Sequence, residues 1–169
     1  MSSLRINISR LSEGHHHYSL SAEASEIGLD ERFERIVAVE ADVEKTSRQM
    51  FLQAEARTSG TFVCDRCLDQ FRMEVASRHA VVYLQGPGSP EDMQEFEEVQ
   101  VLSPDTNIID LGEDVRQFLI LSLPLKILCR EDCAGLCPVC GVNRNRSSCS
   151  CTAEEGDPRW AELKRLLGN

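Results

Sequence analysis

The feature that most constrains this chain of 169 residues is a dense group of cysteines between Cys129 and Cys151. This run reads CREDCAGLCPVCGVNRNRSSCSC and holds six of the eight cysteines, while Cys64 and Cys67 supply the other two. Thiolates at such short spacings are typical ligands of a tetrahedral metal ion, because a two-residue gap lets one turn direct two sulfurs at the same ion. The pattern therefore predicts metal binding.

The spacing of the cysteines favours two sites with four thiolates each. Gly141 directly follows the second cysteine of the CPVC run and suits a turn whose backbone amides face the sulfur. Residues 143–148 can form the loop that brings the chain back to the last two cysteines. The predicted ligand sets are Cys137, Cys140, Cys149 and Cys151 for a compact site, and Cys64, Cys67, Cys129 and Cys133 for a site that joins two distant segments.

Zinc is the expected ion at both sites, and it would act on folding rather than on a substrate. Structural zinc binds with roughly 10–16 kcal/mol, which is comparable with the stability of a whole domain. Three alternatives remain open at this stage: one ion with leftover thiols, disulfides or redox chemistry in place of metal, and iron in place of zinc, since iron also binds four thiolates.

The sequence argues against catalysis. A catalytic zinc keeps an open position and usually has histidine or carboxylate ligands, but no histidine follows His79. A redox-active pair of the thioredoxin type lies at a helix N-terminus, where the dipole lowers a thiol pKa, whereas Cys64 and Cys67 fall between two strand patterns. The Gly86-Pro87-Gly88 run lacks the lysine of a phosphate-binding loop. We therefore expect no enzymatic activity.

Alternation of apolar and polar residues predicts an antiparallel sheet in the first half of the chain. It is clearest over residues 37–43, 50–63 and 71–83, with a break or bulge at Ser59-Gly60. The first cysteine pair then falls at a hairpin tip. The expected fold class is α+β: an antiparallel β meander with a packed helix and a cysteine-rich, zinc-binding C-terminal unit that ends in a helix.

Helix signals follow in the second half. Asp110 and Glu113 have the spacing of a capping box, and Pro124 stops the helix because the residue before a proline avoids the helical region. Asp157-Pro158 is typical of a helix start, with a cap followed by proline at the first helical position. The expected regions are a sheet over 1–85, an acidic linker over 86–109 and a helix plus zinc-ribbon-like unit over 110–169, within one domain.

The formal charge of −10 is unevenly distributed. Residues 86–114 carry nine acidic and no basic side chains, which is untypical of a protein that binds nucleic acid non-specifically. No apolar run approaches the ~18 residues of a membrane span, and the first ten residues lack the apolar core of a signal peptide. We therefore expect a cytoplasmic location, where a reducing environment favours cysteines as ligands over disulfides.

Several motifs, taken in order, resemble the YceD family of large ribosomal RNA subunit accumulation proteins. These motifs are Cys64-Asp65-Arg66-Cys67-Leu68, Ile109-Asp110-Leu111 leading to Leu121-Ser122-Leu123-Pro124, the run from Cys133 to Gly141, and Asp157-Pro158-Arg159-Trp160. The resemblance implies a role in the accumulation of large-subunit ribosomal RNA, and hence in ribosome biogenesis, without enzymatic activity. Genes of the family often neighbour that of a small basic ribosomal protein of the large subunit.

Two kinds of surface are candidates for binding such partners. Acidic side chains could bind a basic ribosomal protein, and arginines beside the cysteines could contact phosphates of ribosomal RNA. The acidic candidates are Glu91, Asp92, Glu95, Glu97 and Glu98, and the basic candidates are Arg66, Arg144, Arg146 and Arg159. The alternative functions are a general nucleic-acid-binding zinc protein, such as a transcription regulator, and a dithiol redox protein.

Overall fold

The structure is a computed structural model that describes residues 3–85 and 99–152. Its elements in chain order are β1 (Arg5–Asn7), β2 (Gly14–Glu23), β3 (Ile36–Lys45), β4 (Gln49–Val63), β5 (Gln70–Gln85), β6 (Val99–Leu102), β7 (Ile108–Asp110) and α1 (Gly112–Leu121). The main sheet has the strand order β2-β3-β4-β5-β6, and β1 pairs with β7 in a small second sheet. No helix within the described ranges has the length and hydropathy of a membrane span.

The strands form where apolar and polar residues alternate, because one face of the sheet is buried. In the pairing of β3 with β4, Val39 lies opposite Ala56 and Val43 lies opposite Leu52, and all four side chains are buried. Each fully buried valine or leucine contributes roughly 1.5–3 kcal/mol relative to exposure. The apolar face predicted from the alternation therefore forms part of the core of the sheet, which also contains Phe62 and Tyr83.

The predicted antiparallel meander is correct for β2 and β3 with their neighbour β4, but it is incomplete as a description of the sheet. β6 pairs with β5 in parallel, with Tyr83 opposite Gln100. Parallel neighbours need a crossover of about a dozen residues or more, and the interval 86–98 has that length. The region 86–109, expected to be an acidic linker, therefore contains β6 and the first two residues of β7.

The predicted capping box at the start of α1 is wrong. The N-cap residue is Leu111, without a side-chain cap, because the backbone N–H of Leu111 still bonds to the carbonyl of Leu4. Asp110 instead accepts a hydrogen bond from the backbone N–H of Gly112 at 3.0 Å. The Glu113 carboxylate accepts hydrogen bonds from the side chains of Arg116 and Gln117. The helix ends at Leu121, before Pro124, as the proline predicts.

Of the break or bulge expected at Ser59-Gly60, the break is absent from the structure. β4 continues through both residues, and Gly60 forms a bridge with Phe33. A Cβ at Gly60 would lie 2.6 Å from the carbonyl oxygen of Arg32. The glycine therefore permits a close backbone approach instead of a break.

The chain forms two compact units. The first contains residues 1–62 and 70–127, and the second contains residues 63–69 and 128–169. Helix α1 belongs to the same unit as the sheet, whereas the sequence-based division grouped it with the cysteines. All eight cysteine positions lie in the second unit, which is assembled from two segments of chain. The predicted final helix from Asp157 lies outside the described residues.

Candidate metal centre

Four cysteines from two distant segments converge in the second unit. Cys64 and Cys67 lie in the turn between β4 and β5, while Cys129 and Cys133 follow α1. Their four Sγ atoms lie within 4.8 Å of one another, and only Cys129 is partly exposed. We call this group cluster 1. It has the membership predicted for the site that joins separate segments.

The sulfur separations in cluster 1 fit a tetrahedral ion. With metal–sulfur bonds of about 2.3 Å, a regular zinc site separates its sulfurs by about 3.8 Å. The Sγ atoms of Cys64 and Cys133 are 3.8 Å apart, and those of Cys67 and Cys129 are 3.7 Å apart. A disulfide requires about 2.05 Å. The donor set and its spacing therefore suit a metal ion and do not correspond to disulfides.

Cluster 2 is made of the remaining four cysteines, Cys137, Cys140, Cys149 and Cys151, whose Sγ atoms also lie within 4.8 Å of one another. Cys137 is buried and the other three are exposed. The two clusters thus share a donor set and differ in burial. All four positions of each are cysteines, so neither cluster has the open position that a catalytic zinc keeps for water or substrate.

The first cysteine pair of each cluster lies in the same kind of turn. In cluster 1, the N–H of Leu68 donates to the carbonyl of Cys64, and the N–H of Cys64 donates to the carbonyl of Asp69, both at 2.9 Å. In cluster 2, Gly141 and Val142 bond to Cys137 in the same two ways, at 2.9 and 2.8 Å. This repetition identifies two knuckles of the same design.

Both knuckles need a left-handed backbone conformation at the residue after the second cysteine. Gly141 has a φ of 74° and adopts it readily, but Leu68 has a φ of 60°, which costs a branched residue roughly 1–2 kcal/mol. The Leu68 side chain is 62% exposed, so burial does not offset this cost. The turn that holds Cys64 and Cys67 therefore imposes a positive φ on Leu68 against the intrinsic preference of leucine.

Backbone amides in the knuckles favour thiolates. Burial raises the pKa of Cys64, but hydrogen bonds from the backbone N–H groups of Cys129, Cys67 and Arg66 together lower it to about 6. In cluster 2, the N–H groups of Cys140 and Val139 lower the pKa of Cys137 to about 6. A thiolate is the form of cysteine that binds metal, so these amides favour the required state at the first cysteine of each knuckle. At Cys67 the backbone N–H of Asp69 lowers the pKa, but burial and the hydrogen bonds to neighbouring thiols raise it to about 12.

Arg66 joins the two segments that build cluster 1. Its Nη1 atom donates to the carbonyl oxygens of Cys133 at 2.9 Å and Glu131 at 3.3 Å. Its own carbonyl accepts from the N–H of Leu136 at 3.0 Å. Gly135 has a φ of 70°, and a Cβ there would lie 3.0 Å from the carbonyl oxygen of Arg66. The chain between the clusters can therefore pass this close to the first knuckle only with glycine.

The sequence of this chain matches a known family over more than half of its length. The family model described as "Large ribosomal RNA subunit accumulation protein YceD" matches residues 52–167. The chain belongs to the YceD family. The matched range begins in β4 and includes every cysteine of both clusters.

Individual curated proteins are also similar to this chain, and one of them has the family in its name. A protein of Mycobacterium tuberculosis strain H37Rv and one of Mycobacterium bovis, both described only as uncharacterized, are 32% identical over 126 residues, covering 75% of this chain and 59% of theirs. The Arabidopsis thaliana "Large ribosomal RNA subunit accumulation protein YCED homolog 1, chloroplastic" is 23% identical over 154 residues, covering 77% and 48%. The chain thus spans about half to three fifths of the length of these curated relatives. No solved structure matches it.

The predicted partner-binding residues fall into three groups. Arg66 is engaged by backbone carbonyls, as described above, and Arg146 pairs with Asp69 at 3.0 Å. Arg144 is exposed, and its side chain forms no ion pair with the described residues. Arg159 and the five acidic candidates, Glu91, Asp92, Glu95, Glu97 and Glu98, lie outside the described residues.

Sequence reasoning missed two asparagines that lie between the clusters. Nδ2 of Asn145 donates to Sγ of Cys133 at 3.3 Å, and Nδ2 of Asn143 donates to Asp69 at 2.8 Å. Burial raises the pKa of the Cys133 thiol, but the bond from Asn145 helps to lower it. The Asn-x-Asn spacing in a short loop is typical of side chains that bond to the nearby backbone, and this was the available signal.

Proposed function

We propose that this protein is a non-catalytic ribosome biogenesis factor that supports accumulation or processing of large-subunit ribosomal RNA. The observation that carries the proposal is the YceD family match over residues 52–167. The plant relative carries the same role in its name and aligns with 77% of this chain. Family membership therefore supports this function, and the cysteine clusters would stabilise the fold that performs it.

The proposal includes one zinc ion in each cluster. The sulfur separations of 3.7 and 3.8 Å in cluster 1 support tetrahedral coordination, and four cysteines per cluster favour zinc over metals that prefer oxygen ligands. Zinc would supply a crosslink between chain segments and no reaction step, because every coordination position is occupied by the chain. Eight free thiols persist as ligands in a reducing cytoplasm, which is the proposed location.

The partner in this proposal is a basic protein of the large subunit or the ribosomal RNA itself. The nine acidic side chains of residues 86–114, with no basic ones, favour the protein. Arg144 favours RNA, because its guanidinium is exposed and forms no ion pair with the described residues. The net charge of −10 makes the protein partner the stronger of the two.

Depletion of the protein in cells tests the biogenesis role. The expected result is a fall in mature large-subunit ribosomal RNA with accumulation of its precursors, while small-subunit ribosomal RNA changes less. A gene that encodes Cys64→Ser together with Cys67→Ser should restore less large-subunit RNA than the wild-type gene at equal protein level. Unchanged large-subunit RNA after complete depletion would exclude the proposed function.

A capture experiment separates the two partners. Replacement of Glu91, Asp92, Glu95, Glu97 and Glu98 by the corresponding amides should weaken capture of a basic large-subunit ribosomal protein by the purified chain. The matched control places amides at five exposed acids outside residues 86–114: Glu13, Glu26, Glu31, Glu44 and Glu74. Equal loss in both variants would show that only net charge matters, and no loss in either would remove the acidic segment from the proposal.

Filter binding distinguishes the proposed function from that of a transcription regulator. A general DNA-binding protein should retain duplex DNA as tightly as ribosomal RNA fragments, with a steep dependence on salt. Selective retention of ribosomal RNA, or of neither nucleic acid, fits the biogenesis role. Alkylation of the metal-loaded protein addresses the dithiol alternative, since coordinated thiolates react slowly whereas a redox-active thiol reacts at once.

A further inference from the structure

The loop of cluster 2 reaches across to a ligand of cluster 1. Residues 141–148 connect two cysteines of cluster 2, Cys140 and Cys149. Near the middle of this loop, Nδ2 of Asn145 lies 3.3 Å from Sγ of Cys133, which belongs to cluster 1. The side chain that supports one cluster is therefore held on a loop whose two ends are ligands of the other.

The orientation of the Asn145 amide is fixed by its neighbours. Its Oδ1 atom accepts from the backbone N–H of Ala134 at 2.8 Å and from the guanidinium of Arg130 at 2.7 Å. Both groups can only donate, so this atom must be the oxygen. The amide nitrogen consequently faces Cys133 and donates a hydrogen bond to its sulfur.

Asn143 also stabilises this loop through hydrogen bonds to Asn145 and Asp69. Its Oδ1 atom accepts from the backbone N–H and from Nδ2 of Asn145, at 3.0 and 2.9 Å, and its own amide donates to Asp69 at 2.8 Å. Asp69 lies at the end of the first knuckle and also pairs with Arg146 at 3.0 Å. The loop is thus bonded on both sides to the segments that form cluster 1.

These contacts depend on the conformation of the loop, and an ion in cluster 2 would fix both of its ends. Without that ion, Cys140 and Cys149 are no longer held together, and the loop regains conformational freedom. Cys149 is exposed, so little apolar burial would keep the end of the loop in place. Asn145 would then contact Cys133 for only part of the time.

We infer that Asn145 is a positioning residue that couples the two metal sites, so that loading of cluster 2 raises the affinity of cluster 1 for its ion. This inference rests on the proposed function, because it requires metal in both clusters. Partners that hydrogen-bond to a ligand commonly change metal affinity by about 10–100-fold. The coupling is reciprocal, so loading of cluster 1 raises the affinity of cluster 2 by the same factor.

A double-mutant cycle on the full-length protein tests the coupling. Asn145→Asp preserves the oxygen that accepts from Ala134 and Arg130. It removes the amide nitrogen that donates to Cys133 and to Asn143. Cys149→Ser with Cys151→Ser disables cluster 2 at two exposed positions. Cobalt(II) is titrated under reducing conditions, with thiolate-to-cobalt absorbance as the readout, and cluster 1 affinity is obtained by competition with a chelator. Arg144→Ala is the control, since it alters an exposed side chain of the same loop.

The expected result is a loss of about 10–100-fold in cluster 1 affinity on Asn145→Asp when cluster 2 is intact. In the protein without a working cluster 2, the same substitution should cost less than about threefold. Arg144→Ala should change neither value. Asn145→Ala is the second variant, and it should reproduce the effect of the aspartate if the lost donor is responsible.

Three outcomes would overturn the coupling, and they differ in what they mean for the proposed function. An equal cost of Asn145→Asp in both backgrounds would show that Asn145 supports cluster 1 whether or not cluster 2 is loaded. No cost in either background would show that Asn145 does not affect the affinity of cluster 1. Both outcomes leave two bound ions in place. Absence of any thiolate-to-cobalt absorbance in the wild-type protein would overturn the coupling together with the zinc proposal.

Discussion

The Sγ atoms of Cys64 and Cys133 lie 3.8 Å apart, although 69 positions separate these residues in the chain. This separation is the sulfur–sulfur distance expected around one tetrahedral zinc ion. The second unit is built from residues 63–69 and 128–169, so an ion in cluster 1 would join its two segments. Loss of that ion should therefore affect the unit more than loss of the ion in cluster 2.

Cys64→Ser is expected to destabilise the second unit more than Cys151→Ser, which is the matched control at an exposed cysteine. A crosslink across about sixty residues lowers the entropy of the unfolded chain and thereby stabilises the folded state by about 4 kcal/mol. The shorter span of cluster 2 would contribute about 3 kcal/mol in the same way. The urea dependence of thiol reactivity reports the opening of this unit, because it holds all eight cysteines. Equal midpoints for the two variants would contradict the assignment.

Gly135→Ala should destabilise the same unit more than Gly141→Ala. Both glycines have a positive φ, at 70° and 74°, so both alanines carry a similar backbone cost. Only the alanine at position 135 would bring its Cβ to 3.0 Å from the carbonyl oxygen of Arg66, whereas the one at 141 meets nothing within 4 Å. We expect a difference of about 1 kcal/mol in urea-induced opening. If Gly141→Ala destabilises the unit more than Gly135→Ala, the contact with the carbonyl oxygen of Arg66 does not determine the cost of a side chain at position 135.

Alanine substitutions at Arg66 and Arg144 should distinguish an arginine that stabilises the second unit from one that binds a partner. Arg66→Ala removes the donors to the carbonyls of Glu131 and Cys133, and charged hydrogen bonds of this kind contribute about 1.5–3 kcal/mol. The variant should therefore open at lower urea. Arg144→Ala should leave stability within about 0.5 kcal/mol and reduce retention of ribosomal RNA if RNA is the partner. If Arg66→Ala is as stable as the wild type, Arg66 is not needed for structure and is again a candidate for contacting ribosomal RNA.

His17 of β2 should make stability depend on pH in the first unit. The hydrogen bond from its ring to Asp42 at 2.8 Å, with further attraction from Asp42 and Glu40, raises its pKa above 6.5. A raised pKa in the folded state stabilises the protein below the unfolded value and loses this effect as pH rises through the folded value.

His17→Gln tests this dependence. The melting temperature of the wild type should exceed that of the variant by more at pH 6 than at pH 9, where the imidazole is neutral. Asp42→Asn, which removes the main cause of the pKa shift, should flatten the profile while His17 is retained. A difference that stays constant over this range would mean that the ion pair does not contribute.

The sequence predicts those parts of the molecule that depend on short-range patterns. Alternation identified β3, β4 and β5 and their buried face. Cysteine spacing separated the clusters into the same two groups that the structure brings together. The parallel pairing of β6 could not be predicted, because it depends on a crossover and not on local alternation. Leu111 replaces Asp110 as the cap of α1 because a backbone bond to Leu4 continues the strand pairing by one residue.

The asparagines were missed for a different reason. Asn143 and Asn145 are ordinary loop residues by composition, and their roles follow from a tertiary contact between the loop of cluster 2 and a sulfur of cluster 1. The contacts of Arg66 likewise depend on tertiary structure and could not be predicted from its position in the sequence. Its place beside two cysteines favoured a nucleic-acid contact, whereas its guanidinium is directed to the backbone of the facing segment.

The metal content of the purified protein tests the central claim most directly. Native mass spectrometry of protein purified without added metal should give a mass with two zinc ions per chain and eight reduced cysteines, and removal of the ions by a chelator should open residues 63–69 and 128–152 to hydrogen exchange. A chain that is free of metal, or joined by disulfides, and yet retains full protection of those residues would contradict the account.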